Sequence, residues 1–294
     1  MQPTNPPPKA EERSPKHHDP ENPYHRGGAV DRPKSGTRFS ATEIHDNVFG
    51  SAEDEAKRPT RSLLWSALAA GLVIGFSFLA TGFAAYVVPE PEHLRRFAIA
   101  IAYPTGFIFV VMGRSELFTE NTLRPVVPLL HYRDRPRLRA LGRMWGLLLL
   151  GNMVGAFIFA WIFARTEAIT PVLRPSLDAV AAEAARGTFG EVFYLAIFAG
   201  WLIALLAWLM ASTHNTMAQI VIVWLTTAAI GAFGFKHSIV GAVEAFYRAF
   251  TGSAGWGDMI GSFIVPSLLG NAVGGVVLVA LLNYAQVKEE TEER

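Results

Sequence analysis

The sequence predicts an all-α integral membrane protein that crosses the bilayer six times and is broken in its second and fifth helices. Three observations predict it: apolar runs of bilayer length, Lys and Arg gathered on one side of them, and a Gly-Asn motif that recurs at a fixed spacing. Of 294 residues, 51% are hydrophobic and 17% charged, against about a quarter charged in a soluble domain. A large share of the charge sits in residues 1–61 and 286–294. The formal net charge of +1 gives no basis for an acidic partner, and no nucleic-acid partner is expected. The chain has no Cys, which excludes disulfides, thiolate nucleophiles and Cys-ligated metals.

Residues 1–39 are rich in Pro, charge and His, and are expected to be disordered. His17, His18, Asp19 and His25 fall there without helical spacing, so no metal site is read from them. The first 60 residues hold no apolar run, and no secretory signal is expected. Over 40–58, Ser40 or Thr42 would cap a short helix with Ile44 and Val48 on one face, suited to lying on the membrane surface.

Six segments then reach the roughly 20 apolar residues that span a bilayer, near 62–88, 97–118, 142–164, 192–213, 217–235 and 260–284. A seventh stretch, 238–250, is too short to cross alone and continues the fifth. Eleven Lys and Arg flank the spans on one side, including six Arg between 124 and 143, against six on the other. Basic loops stay in the cytoplasm, so both termini are placed inside. The expected division is a cytoplasmic tail over 1–58, a transmembrane unit over 59–285 and a cytoplasmic tail over 286–294.

GNMVGA at 151–156 recurs as GNAVGG at 270–275, 119 residues later. The same offset lays Leu117-Phe118-Thr119 over Lys236-His237-Ser238. Three spans separate the copies, so the second enters from the opposite face. That is the pattern of an inverted repeat, in which broken helices meet near the midplane. Non-helical backbone at that depth is tolerated only where protein covers it or it lines a cavity. Segment 113–128, polar and closed by Pro125 and Pro128, reads as a re-entrant loop followed by a short helical piece.

His237 is the only His expected at membrane depth, where an ionisable side chain is expensive and points to function. Lys236 beside it and Thr119 across the repeat complete the candidate centre. Gly113-Arg114-Ser115 with His237 raises an intramembrane serine hydrolase, but Glu116 stands where such an enzyme needs a small residue and an oxyanion donor. No Gly-x-x-x-x-Gly-Lys run is present, so no ATP-driven step is expected.

ELFTENTL at 116–123, WLIALLAWLM at 201–210, GFKHSIVG at 234–241 and GNAVGG at 270–275 together resemble the formate–nitrite transporter family, in the right order over about residues 60–285. The resemblance implies an aquaporin-like six-span fold, one pore per protomer, a homopentamer in the bacterial inner membrane, and passage of small monovalent anions of weak acids without a cofactor. It implies a channel, not an enzyme; a non-transporting regulatory or assembly protein on the same scaffold is the other reading. Residue by residue, His237 matches the family's central pore histidine and Thr119 the loop threonine facing it. Leu117 matches the cytoplasmic-side constriction, which Phe107 joins. Tyr103 and Ile230 fall at the outer constriction, and Asn271 matches a pore asparagine. Departures are Lys236 where Glu is common, Gly200 where Asn precedes Trp, and Arg114 and Ser115 in place of small apolar residues. With Lys before the central His, the chain reads as a divergent member. Lys236 would either face the vestibule or pair with an acid such as Glu116.

Overall fold

The computed structural model describes residues 39–292; the tail expected to be disordered, and the His residues in it, lie outside them. The first helix, α1 (Ala41–Ala56), starts at Ser40, whose hydroxyl accepts from the Glu43 backbone while the Glu43 carboxylate returns to the Ser40 backbone. That reciprocal pair satisfies two of the N–H groups a helix start leaves unpaired. Its His45, Val48, Phe49 and Ala52 are buried. Val48 and Phe49 pack with Leu123, Val126, Val279 and Val287, so this side of α1 faces protein.

Six helices long and apolar enough to cross a membrane follow. They are α2 (Thr60–Val87), α3 (Glu92–Met112), α5 (Arg135–Arg165), α7 (Phe189–Met210), α8 (Thr216–Phe233) and α10 (Trp256–Val287). Between them lie α4 (Val126–Tyr132), α6 (Arg174–Ala184) and α9 (Ser238–Thr251). The second span ends at Met112, short of residue 118, because Gly113 closes the helix and Arg114 turns the chain through φ 53°. The third starts as early as Arg135, where the Asp134 side chain accepts from the Arg137 backbone and extends the helix through a basic prefix.

The packing is built from two similar pairs, α2 on α5 and α7 on α10. Small residues let the partners approach: a Cβ on Gly71 would overlap the Asn152 backbone, and one on Gly200 the Asn271 backbone. Gly200 is therefore a packing requirement, whatever stands there in a formate channel. Large side chains such as Trp65, Phe97, Tyr194 and Phe233 remain exposed on the outside of the bundle, as suits contact with lipid or other apolar surface.

Candidate functional site

Both helix breaks are held in one way. The Asn152 Oδ1 accepts from the Phe118 backbone at 2.7 Å, and its Nδ2 donates to the carbonyls of Ala67 and Glu116. The Asn271 Oδ1 accepts from the Ser238 backbone at 2.8 Å, and its Nδ2 donates to the carbonyls of Ala196 and Lys236. Each fully buried amide thus satisfies one N–H and one C=O group at a break where the helical ladder fails, and ties them to a carbonyl of the span alongside.

These bonds correct the repeat register. Glu116 is the counterpart of Lys236 and Phe118 of Ser238, which makes His237 the counterpart of Leu117. The loop atom held by Asn152 lies 34 residues before it, that held by Asn271 only 33. The constant spacing of 119 therefore holds for the asparagines and slips by one at the loops, so Thr119 and Ser238 are not mates. Asn271 is also corrected in role: its amide holds backbone behind the loop.

Thr119 and His237 meet, with Oγ1 2.8 Å from Nε2 and both side chains buried. The other ring nitrogen, Nδ1, accepts from the Val240 backbone at 3.2 Å and so caps α9. A backbone N–H can only donate, so Nδ1 carries no proton and a neutral ring carries its proton on Nε2. Nε2–H donates to the Thr119 oxygen, leaving the threonine O–H as a donor for something else. The Phe107 ring stands edge-on to the imidazole at 4.9 Å and meets Tyr103 at 5.5 Å. Leu117 is buried on the same loop as Thr119.

A cavity of about 460 Å³ is lined by His237, Tyr103, Ile230, Lys236 and Glu244, with Arg96, Arg186, Glu183 and Glu191. Lys236 Nζ donates to the carbonyls of Ala184 at 2.7 Å and Glu183 at 3.3 Å, the last of α6. A cation there complements the helix dipole. Lys236 does not pair with Glu116, because the two loops enter from opposite faces; Glu116 is bonded by Arg58 and by Asn121.

The face that carries α1 is held by ion pairs. Arg124 bridges Glu55 of α1 at 2.7 Å and Glu120 of the loop at 2.6 Å, and Arg137 lies 3.9 Å from Glu53. Burial pushes the Glu55 carboxyl up to about 7; the Arg124 guanidinium opposes this, while Glu116 and Glu120 add to it. Sequence reading missed Asn152, Arg124, Glu55 and Glu244 as site residues. Asn152 was signalled by the repeat itself, and Glu244 by being an acid within the apolar stretch 238–250.

Six spans, two opposed breaks joined through a buried Thr–His pair, and a cavity that His237 lines define a membrane channel or transporter. The sequence pattern described as "Formate/nitrite transporter" matches residues 42–285, and the chain belongs to that family, whose members are transporters and not enzymes. It is 34% identical over 272 residues to the inner membrane protein YfdC of Escherichia coli (strain K12), covering 92% of this chain and 86% of that protein. A solved "FNT family ion channel" superposes with a TM-score of 0.70 at 21% identity, over 84% of this chain and 99% of that one. A "pentameric formate channel with formate bound" gives 0.67 at 22% identity, over 77% and 97%. The fold is thus the aquaporin-like, all-helical fold of those channels.

Proposed function

We propose that this protein conducts small monovalent anions of weak acids, such as formate, nitrite or acetate, through one pore per protomer, either passively or together with a proton. The observation that carries the reading is the 2.8 Å contact of Thr119 with His237, the imidazole that lines the cavity. A bare carboxylate in hydrocarbon costs on the order of tens of kcal/mol, so it must shed its charge or meet compensating charge. The N-terminus of α9 supplies positive potential at the break, and the threonine O–H is free to donate to a substrate oxygen. Phe107, Leu117, Tyr103 and Ile230 supply the narrow apolar walls that pass a neutral acid far better than its anion. Lys236 adds positive charge to the outer vestibule, while Asn271 acts by fixing the loop.

The assembly we infer is a homopentamer in the cytoplasmic membrane of a bacterium, with both termini inside. Residues 59–285 form the channel and 1–58 and 286–294 the tails. The homology to a pentameric formate channel and to an inner membrane protein supports it. The test is uptake of labelled formate, nitrite and acetate into proteoliposomes across a pH series, for the parent, His237→Asn and Lys236→Glu. Flux in the parent that falls at least about tenfold in His237→Asn supports the reading; unchanged flux and selectivity in both variants removes it.

A further inference from the structure

We propose that Glu244 is a specificity-determining residue of the outer vestibule, setting it to accept a small acid together with a proton and to turn away anions that cannot take one up. This rests on the transport reading above. Glu244 lies on α9 seven residues beyond His237, close to two helical turns, and so on the same face. It is only 5% exposed, yet it lines the cavity beside Lys236 and His237. Among the described residues its carboxyl makes neither a hydrogen bond nor an ion pair within 4.0 Å. A buried acid without a hydrogen-bond partner is costly to keep unless its chemistry is used.

The inner half of the repeat makes the contrast. Arg124 stands as far past Glu116 as Glu244 does past Lys236. Arg124 is taken up on both sides by Glu55 and Glu120, whereas Glu244 is left open to the cavity. The other charges around the cavity are committed. Arg96 pairs with Glu92 at 2.7 Å and Arg186 with Glu183 at 3.3 Å, and Glu191 caps α7 through Thr188. The Lys236 ammonium gives two of its three donors to the end of α6. What an incoming ion meets beside the imidazole is therefore one ammonium and one carboxyl.

With Glu244 ionised, the attraction of Lys236 for an anion is offset by repulsion of the same order. With Glu244 protonated, its O–H donates to a carboxylate oxygen. The proton can pass across that bond: the substrate becomes the neutral acid, the carboxylate left behind faces Lys236, and outer water restores the proton. Nitrate, whose acid is strong, cannot take the proton and gains nothing from the exchange.

The experiment reconstitutes the full chain and measures the ratio of nitrate to formate flux in the parent, Glu244→Gln, Glu244→Asp and Lys236→Met. Glu244→Gln should raise the ratio by at least about tenfold. Glu244→Asp should keep the parent's ratio, and Lys236→Met should lower it. A ratio in Glu244→Gln within about twofold of the parent's overturns the proposal while leaving transport itself intact. A readout independent of flux is the thermal stabilisation of the detergent-solubilised pentamer by nitrate relative to formate. A preference shifted toward nitrate in Glu244→Gln supports the role even if the parent carries neither ion, and an identical preference in the two proteins overturns it.

Discussion

Asn152 and Asn271 make the same three hydrogen bonds on opposite sides of the bilayer, each tying one broken helix to the spans beside it. Their equivalence is physical as well as sequential, since each amide meets one N–H and one C=O group at a break and one carbonyl of the span alongside.

Replacing either asparagine by Ala should therefore destabilise the protein to a similar degree. An unsatisfied buried group costs about 1–3 kcal/mol, and two loop groups are exposed to that cost at each site. Thermal unfolding in detergent measures it, and a variant that melts with the parent would remove the clamp from the account.

Thr119→Val leaves Nε2–H of His237 without its acceptor in a buried site, again at about 1–3 kcal/mol. It also removes the hydroxyl proposed to meet the substrate, whereas Thr119→Ser keeps both. Flux in the serine variant should stay near that of the parent while the valine variant loses at least about tenfold. Equal flux in the two would separate the hydroxyl from transport.

Glu55 gives the face that carries α1 a pH dependence. Its folded pKa of about 7 lies above the ordinary value of 4.5. The folded state therefore holds the proton more tightly, and this stabilisation is complete below pH 4.5 and lost as pH rises through 7. Protection of the α1 amides, expressed relative to their intrinsic exchange rate at each pH, should fall over that window as the helix undocks more readily. Glu55→Gln should flatten the trend; a slope retained in that variant assigns it to another group.

Gly200→Ala tests close packing against helix propensity. Alanine gains about 1 kcal/mol in a helix, but its Cβ would overlap the Asn271 backbone, and overpacking costs about 1–3 kcal/mol. The net expectation is a loss. Gly146→Ala is the control, because nothing lies within 4 Å of its added Cβ, and it should be neutral or stabilising. A melting temperature that rises in both variants would contradict the packing described for α7 and α10.

The spans were legible because apolar length is written directly in composition, and the breaks because polar residues interrupt apolar runs at 113–119 and 236–238. The residue-level register was not. GNMVGA and GNAVGG fix the spacing of α5 and α10, but the loops slip by one residue against them, and only the hydrogen bonds of Phe118 and Ser238 reveal it. Lys236 was left open between the vestibule and a pairing with Glu116. Its actual partners are the carbonyls of Ala184 and Glu183, and carbonyl acceptors leave no side-chain signal in a sequence. Glu244 went unread as a site residue because its meaning depends on which side of α9 faces the cavity. Gly71 and Gly200 are two among 26 glycines, and nothing local distinguishes the pair that touches an asparagine.

Because the break before α9 is held by Asn271, the Ser238 N–H and the Lys236 C=O lack that partner until the last span has entered the bilayer. A ribosome-bound chain whose emerged part stops short of residue 271 carries its fifth crossing unfinished. The final span is then the keystone that lets the earlier ones settle. Biogenesis of the passage is a late event by construction, and losing the C-terminal span should condemn the whole chain to quality control.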